Sequence, residues 1–137
     1  MRILVPVGLY TSPYPYRRLP KILGRSNVEA IVFTAIPIPQ PTSLDHIEDS
    51  DIEIVKKYRE KQDVIGQLLR EFGFRVSDKI VYARDVAEAI QLEIREHRYD
   101  LVVLVKRKRL PRFIGRSVSR TLLGKIDTPI LILTMEE

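Results

Sequence analysis

Five short apolar segments recur along the chain, and the stretches between them are long enough to form helices. Short apolar runs bounded by Gly, Pro or polar residues are typical of buried strands. Strands that alternate with helices are joined by right-handed crossovers, and these produce a parallel sheet. The pattern predicts an α/β fold, and no repeat or change of composition divides residues 1–137 into more than one domain. The predicted strands are Arg2–Val7, Val28–Ile36, Lys79–Ala83, Leu101–Val105 and Pro129–Thr134.

Four helices are predicted between these strands. The clearest has apolar residues at helical spacing from Ile54 to Phe72, and we expect them to face the core. Ser50 and Glu53 have the spacing of a capping box at its start, and Gly73 supplies a stop. The four helices are predicted over Leu19 to about Gly24, Asp51 to about Phe72, Val86 to about His97 with Asp85 as its cap, and Ser117–Lys125.

Composition excludes several classes of protein. The chain is 45% hydrophobic and 30% charged, which is typical of a globular protein rather than a disordered one. It has no cysteine, so disulfides, thiolate zinc sites and cysteine nucleophiles are excluded. Its longest apolar runs are too short to cross a bilayer, and its first residues do not have a signal-peptide pattern. We therefore expect a cytoplasmic protein that does not insert into a membrane.

Positive charge is concentrated in one part of the chain. The formal net charge is +5, and residues 101–126 contain eight basic residues and no acidic one. The rest of the sequence holds 15 basic and 18 acidic residues, so its net charge is −3. An anion-binding site is therefore expected to involve this basic segment. Its basic residues are Lys106, Arg107, Lys108, Arg109, Arg112, Arg116, Arg120 and Lys125.

Stretches at both ends of the chain match known sequence patterns. Arg2–Val7 reads R-I-L-V-P-V and is similar to an opening strand K-I-L-V-A-V. Asp85–Ile90 resembles a helix start G-x-P-A-E-A-I, and Tyr99–Leu104 resembles a strand A-D-L-I-V-M. Ser117–Ser119 and Thr128–Leu133 resemble closing elements S-V-A and C-P-V-L-V-V at matching spacing. In this order, the stretches resemble the universal stress protein family, while the middle of the chain matches only in its pattern of elements.

The resemblance implies an open five-stranded parallel sheet of order 3-2-1-4-5 with helices on both faces, similar to the adenine nucleotide alpha hydrolase-like fold. In such a sheet, ligands bind beyond the carboxyl ends of strands 1 and 4, where the winding reverses. The resemblance also implies a homodimer, and we expect a non-catalytic binding or regulatory module. Pro129–Thr134 is expected to be an edge strand and the dimer seam, because an exposed apolar edge strand invites pairing.

Nucleotide-binding members of the family carry Asp after the first strand and a G-x-x-G-x9-G-S/T loop, which lets backbone and helix N–H groups approach phosphates. Here Gly8 occupies the Asp position, and Arg116 occupies the place of the glycine before Ser117. The first two loop glycines correspond to Val105 and Lys108. ATP or AMP is the candidate ligand. The resemblance implies a site made by Val7, Gly8, Val105, Lys106, Arg107, Lys108, Arg109, Gly115, Arg116, Ser117 and Val118.

These departures leave three interpretations of the site. In the first, basic side chains between Lys106 and Arg116 bind phosphate directly, and Ser117 still lies at a helix start. In the second, the site binds no ligand, and the protein is a structural or interaction dimer. In the third, the stretch Lys106–Arg120 binds nucleic acid or another polyanion without sequence preference, although Phe113 alone is a poor stacking platform.

No constellation of residues indicates an enzyme. His46 lies in an acidic, Pro-rich stretch and His97 at a predicted helix end, and neither has a recognisable partner in the sequence. His97 is expected to complement the dipole of its helix, while nothing fixes a metal geometry around His46. The three tyrosines after the first strand either stack on a base or cover that end of the sheet. They are Tyr10, Tyr14 and Tyr16.

Overall fold

The computed structural model describes residues 1–37, 49–106, 122 and 124–134. The strands in this part of the chain are β1 (Arg2–Pro6), β2 (Glu29–Pro37), β3 (Arg75–Ala83), β4 (Leu101–Lys106) and β5 (Ile130–Thr134). Its α-helices are α1 (Leu19–Leu23), α2 (Asp49–Glu71) and α3 (Val86–Glu96), and a 3-10 helix (Tyr14–Arg18) precedes α1.

The strands form one parallel sheet of order β3-β2-β1-β4-β5. The chain starts in the middle with β1, moves outward through β2 to β3, and returns to the other side of β1 for β4 and β5. The predicted fold and strand order are therefore confirmed. Because the winding reverses between β1 and β4, the carboxyl ends of these two strands are where open sheets of this kind bind ligands.

Helices cover both faces of the sheet, as its apolar central strands require. Successive residues of β1 point to opposite faces. Ile3 packs on one face in a cluster with Ile65 and Leu69 of α2. Leu4 packs on the other face in a cluster with Ile90 of α3. Each of these side chains is at most 1% exposed, so the sheet is the middle layer of a two-sided core.

Two of the predicted helix boundaries are set by local chemistry that the sequence already indicates. Asp85 caps α3, because its carboxylate accepts a hydrogen bond from the Glu88 N–H over 3.2 Å. Gly24 ends α1 with a φ of 75°, and Gly73 follows α2 with a φ of 89°. Both values lie in the left-handed region that glycine adopts without strain, so these two stops are confirmed.

The long helix α2 starts at Asp49, two residues before the predicted start. The side-chain contacts of Ser50 lie outside the described part of the structure, so its role as a cap stays a prediction. The apolar stripe is confirmed at Tyr58, Ile65 and Leu69, which are buried, whereas Ile54 is 43% exposed. The start of α2 therefore extends beyond the core. Neither α2 nor any other helix in the described residues is long and apolar enough to cross a membrane.

The start of β3 was predicted four residues too late, at Lys79 instead of Arg75. Among the described strands, β3 pairs only with β2, over the full length of both strands, and is therefore an edge strand of this sheet. Arg75, Ser77 and Asp78 are exposed in its first half. An edge strand can carry such polar residues because part of its surface remains in contact with solvent. Its polar first half therefore has no apolar run that would reveal a strand.

The predicted helix Ser117–Lys125 lies outside the described residues except near its end. Leu122 is helical and fully buried in the cluster on the α3 face. The Lys125 N–H donates to the Leu122 carbonyl over 3.0 Å, and Gly124 has a φ of 84°. These three residues form a turn that leads the chain towards β5.

Candidate functional site

β1 and β4 pair over fewer residues than any other two adjacent strands of the described sheet. Their register ends at the pair Leu4–Val102, although β4 continues to Lys106. In this register, an N–H at position 6 would donate to the carbonyl of Val103. Position 6 is Pro6, which has no N–H, so the ladder cannot take its next step. The two strands therefore continue without further pairing towards their carboxyl ends.

The residues that follow β1 are held by hydrogen bonds on the other side. The Val7 N–H donates to the Phe33 carbonyl of β2 over 2.8 Å, and Val7 is 5% exposed. The Gly8 N–H donates to the Thr11 hydroxyl over 2.9 Å, and the Thr11 N–H donates back to the Gly8 carbonyl over 3.3 Å. The Gly8 amide is thus already satisfied, and a ligand could use it only by displacing Thr11.

Glycine at position 8 is not required by the backbone. A Cβ added to Gly8 would meet the Thr11 hydroxyl at 3.9 Å as its nearest neighbour, which is an ordinary van der Waals contact. The φ of Gly8 does not lie in the left-handed region. A Cβ therefore fits at this position without a close contact, and the backbone conformation does not by itself exclude the Asp implied by the family resemblance.

The structure places four of the predicted site residues at the carboxyl ends of these neighbouring strands. Val7 and Gly8 follow β1, and Val105 and Lys106 end β4. Val105 is partly buried against the core cluster on the α2 face, whereas Lys106 is exposed and begins the basic segment. The other predicted site residues lie outside the described part of the chain: Arg107, Lys108, Arg109, Gly115, Arg116, Ser117 and Val118.

The three tyrosines after β1 have different environments. Tyr16 is fully buried in the core cluster on the α2 face, and its burial raises the pKa of its hydroxyl well above the ordinary value. Tyr10 and Tyr14 are each 60% exposed, and the guanidinium of Arg17 lies 5.3 Å from the centre of the Tyr14 ring. Tyr16 therefore packs against the sheet and cannot stack on a ligand in this conformation.

A groove that the sequence did not reveal lies between β3 and α3, with a volume of about 390 Å³. Phe33, Val81, Ala89 and Leu92 provide its apolar lining. The sequence contains no motif for this groove, because it is formed by the packing of a helix over an edge strand. Its charged lining residues are Lys79, Arg84, Asp85, Glu88, Glu93 and Glu96.

The inner wall of this groove contains a buried carboxylate with several partners. Glu93 is 5% exposed, and its Oε1 lies 2.5 Å from Nζ of Lys79. Its Oε2 accepts a hydrogen bond from the Tyr99 hydroxyl over 2.6 Å. Nε2 of His97 lies 3.4 Å from Nζ of Lys79 and 3.9 Å from Oε1 of Glu93. The sequence shows no recognisable partner for His97, and the structure supplies one, because strand β3 brings Lys79 to it from 18 positions away.

The environment of Glu93 keeps its carboxylate charged. Burial by itself raises its pKa, but the hydrogen bonds from Lys79 and Tyr99 and the nearby positive charge outweigh burial, so the pKa is lowered. Burial and the hydrogen bond to Glu93 raise the pKa of the Tyr99 hydroxyl. A carboxylate that stays ionised and accepts hydrogen bonds at both oxygens is a structural link between α3 and β3 rather than a proton donor. One signal in the sequence could have identified it, since Glu93 stands three residues after the core residue Ile90 on an amphipathic helix.

Within the described residues, no group of three or more His, Asp or Glu side chains could hold a metal ion. His46 and the acidic residues next to it lie outside that part of the structure.

Sequence comparison identifies one family. The model of the universal stress protein family matches residues 1–134. A search of curated proteins found no match.

Several solved structures share the fold. The universal stress protein from Archaeoglobus fulgidus in complex with dAMP has a TM-score of 0.69 at 19% sequence identity, with 97% of each chain covered. A universal stress protein family protein from Arabidopsis thaliana with AMP bound has a TM-score of 0.65 at 15% identity, covering 99% of this chain and 92% of that one. A universal stress protein in complex with cAMP has a TM-score of 0.64 at 19% identity, covering 98% of this chain and 96% of that one. At these identities, the similarity shows a common fold.

Proposed function

The chain belongs to the universal stress protein family, and from this premise we propose that it is a non-catalytic binding or regulatory module for a phosphate-bearing anion. One observation carries the proposal. The carboxyl ends of β1 and β4, which are unpaired beyond Leu4–Val102, lie where the basic segment begins at Lys106. An open end between two strands, next to a concentration of positive charge, suits a phosphate group.

An adenine nucleotide is the first ligand to test. Three solved structures with this fold are described as holding dAMP, AMP or cAMP. In the present chain, the Gly8 amide is occupied by Thr11, and Gly8 offers no carboxylate. The phosphate is therefore proposed to provide most of the binding energy, through the basic side chains, and the base to provide little.

The absence of cysteine from the sequence supports a cytosolic location for this module.

Calorimetric titration with AMP, ATP and pyrophosphate tests the proposal. We expect saturable binding of all three ligands, with affinities that increase with phosphate charge. Replacing Arg107, Arg109 and Arg116 together by Ala should abolish the heat of binding. The matched control removes the same charge from α2, by Ala at the exposed residues Lys56, Lys57 and Arg59, and should leave binding unchanged. Affinity that survives the first triple substitution would refute the proposed site, and an equal loss in the control would show a general effect of charge.

Gly8→Asp separates recognition of the base from recognition of the phosphate. Position 8 accepts a Cβ without a close contact, and Asp is the residue that the family resemblance implies there. The variant should bind AMP more tightly than the wild type and pyrophosphate no more tightly. Gly8→Ala, which fills the space without a carboxylate, is the control and should behave as the wild type. If Gly8→Asp binds AMP no more tightly than the wild type and Gly8→Ala do, the base does not lie near position 8.

Nonspecific binding of nucleic acid is the alternative, and the eight basic residues of the basic segment are the observation that favours it. Polyanion binding through such a segment falls steeply with added salt and is indifferent to the base sequence. Titration with a short oligonucleotide at two salt concentrations distinguishes the cases. Tighter binding of the oligonucleotide than of ATP, with loss of affinity at high salt, would favour the polyanion function.

We further propose that the module is a homodimer that pairs through Pro129–Thr134. β5 is an edge strand of the described sheet, and its residue Ile132 is only partly buried within the chain. Ile132→Lys should produce monomer or aggregate in sedimentation experiments, because the charge would be desolvated at the seam. Ile54→Lys, at an exposed position of α2 outside this strand, is the control and should leave the dimer unchanged. A dimer that is unchanged by Ile132→Lys would contradict this seam.

A further inference from the structure

None of the residues that line the groove between β3 and α3 belongs to the proposed phosphate site, and the groove has an apolar floor. Phe33 of β2 and Val81 of β3 line it from the sheet, and Ala89 and Leu92 line it from the helix. Leu92 is 52% exposed, so the groove presents apolar surface to solvent beside an edge strand. Apolar surface of this kind, rimmed by charged residues, is characteristic of interaction sites.

The backbone of β3 has hydrogen-bonding groups that face away from the sheet. The Arg75 N–H donates to the Val28 carbonyl, so alternate residues from Arg75 onward face β2. The residues between them, Asp78, Ile80 and Tyr82 among them, direct their N–H and carbonyl groups towards the outer edge. No strand of the described residues pairs with that edge. It is therefore a template on which an extended segment can form hydrogen bonds.

The charge of the groove favours a basic partner. Glu88, Leu92 and Glu96 follow one another at intervals of four on α3, so two carboxylates flank the exposed leucine on one helix face. Lys79 and Glu93 neutralise each other. The lining as a whole contains four acidic and two basic residues on a chain whose net charge is +5. This surface is locally acidic on a protein that is basic overall.

Self-association through the same edge is disfavoured by this charge. If β3 paired with β3 of a second copy in a continuous sheet, both α3 helices would lie on the same face. Their acidic stripes would then face each other, and like charges opposite one another are destabilising. A basic segment from another protein would bring compensating charge to the same place.

We propose that this groove and the outer edge of β3 bind an extended basic segment of a partner protein. The segment adds an additional strand to β3 through backbone hydrogen bonds. Alternate Lys or Arg side chains lie over the apolar floor, with their stems on Leu92 and their charges near Glu88 and Glu96. The apolar stems of Lys and Arg suit this floor, because such side chains bury their methylene groups while keeping the charge in water.

A short synthetic peptide with an alternating pattern tests the proposal. The probe is fluorescein-labelled Lys-Thr-Lys-Val-Lys-Thr, added to the full chain and followed by anisotropy and by amide chemical shifts. We expect saturable binding, with the largest amide shifts at Asp78, Ile80 and Tyr82. The peptide in which Glu replaces each Lys should not bind. Amide shifts confined to residues outside β3 and α3 would refute the site.

Two further measurements separate the charge from the strand pairing. Glu88→Gln combined with Glu96→Gln should weaken binding by roughly five-fold, as expected for two exposed ion pairs. The same change at Glu53 and Glu60, which are exposed on α2, should have no effect. N-methylation of alternate peptide amides should abolish binding for one set of positions and spare it for the other, because only one edge of a strand faces β3. Equal loss for both sets, or equal weakening by both double variants, would overturn the proposal.

Discussion

Replacing Glu93 by Gln tests whether the buried carboxylate fixes α3 to the sheet. Gln preserves the volume of the side chain but removes its charge. It also presents an amide N–H₂ group where Lys79 and Tyr99 both need an acceptor. The substitution therefore leaves the Tyr99 hydroxyl, which belongs to a side chain only 9% exposed, with a poorer partner.

The expected loss in the free energy of unfolding depends on how well Lys79 and Tyr99 can be rehydrated once the carboxylate is removed. A lost hydrogen bond to a charged group costs about 1.5–3 kcal/mol when both partners stay buried. The Lys79 side chain is 39% exposed and can be rehydrated, so its share is reduced, whereas the Tyr99 hydroxyl cannot recover a partner as easily. We expect the free energy of unfolding to fall by about 2 kcal/mol at neutral pH, which lowers the urea midpoint by about 1 M.

The effect of the substitution should depend on pH. The pKa of the Glu93 carboxyl is lowered in the folded protein, so the charged carboxylate stabilises the fold above its ordinary pKa of 4.5. This contribution is lost as the pH falls through the lowered folded value. The Gln variant lacks it at every pH, so the difference between the two proteins should shrink as the pH falls below 4.5.

Urea denaturation followed by circular dichroism, at neutral and at acidic pH, measures both effects. Glu96→Gln on the same helix is the control, because Glu96 is exposed, and it should leave the free energy of unfolding within about 0.5 kcal/mol of the wild type. The reasoning fails if Glu93→Gln and Glu96→Gln destabilise equally, or if the loss caused by Glu93→Gln is the same at both pH values.

Two further predictions concern stability. The hydroxyls of Tyr16 and Thr34 are buried without a hydrogen-bond partner in the described part of the chain. Tyr16→Phe and Thr34→Val should each raise the free energy of unfolding by about 1 kcal/mol, because an unpaired buried hydroxyl is costly, and a lower urea midpoint would contradict this. At Gly66, inside α2, an added Cβ meets other atoms no closer than 3.6 Å, so Gly66→Ala should stabilise by roughly 0.5–1 kcal/mol. At Gly73, where φ is 89°, the same change should destabilise by about 1 kcal/mol, and thermal melts that shift in the same direction for both would refute the argument.

The architecture could be predicted because the central strands are largely apolar, and such runs indicate buried strands. The run Leu101–Val105 is apolar throughout, and its strand is covered on both faces. The first half of β3 could not be found in this way, because Arg75 and Asp78 belong to an edge strand whose pattern is mostly polar. Register is also absent from the sequence. Pro6 interrupts the pairing with β4 only because its nitrogen faces β4 rather than β2, and that depends on the neighbours of β1.

The two candidate sites also differ in how much of each could be predicted from the sequence. The place of Gly8 and Lys106 at the strand ends follows from the resemblance to a family and from strand order. The contact of Glu93 with Lys79 joins residues that are 14 positions apart, one on β3 and one on α3. The helical spacing from Ile90 indicates that Glu93 lies near the core, but no local pattern identifies Lys79 as its partner. The packing of α3 on the sheet produces this contact, and the groove has the same origin.

The short pairing between β1 and β4 has a mechanical consequence. β3, β2 and β1 form one block, joined by nine and five residue pairs, and β4 and β5 form a second block, joined by five. Two residue pairs connect the blocks. Within the described sheet, the junction between β1 and β4 separates at the lowest cost in backbone hydrogen bonds. Hinge-like motion should therefore concentrate there. A molecule bound across the carboxyl ends of β1 and β4 would hold the two blocks together. Its binding should therefore be detected as slower amide exchange at Leu4 and Val103.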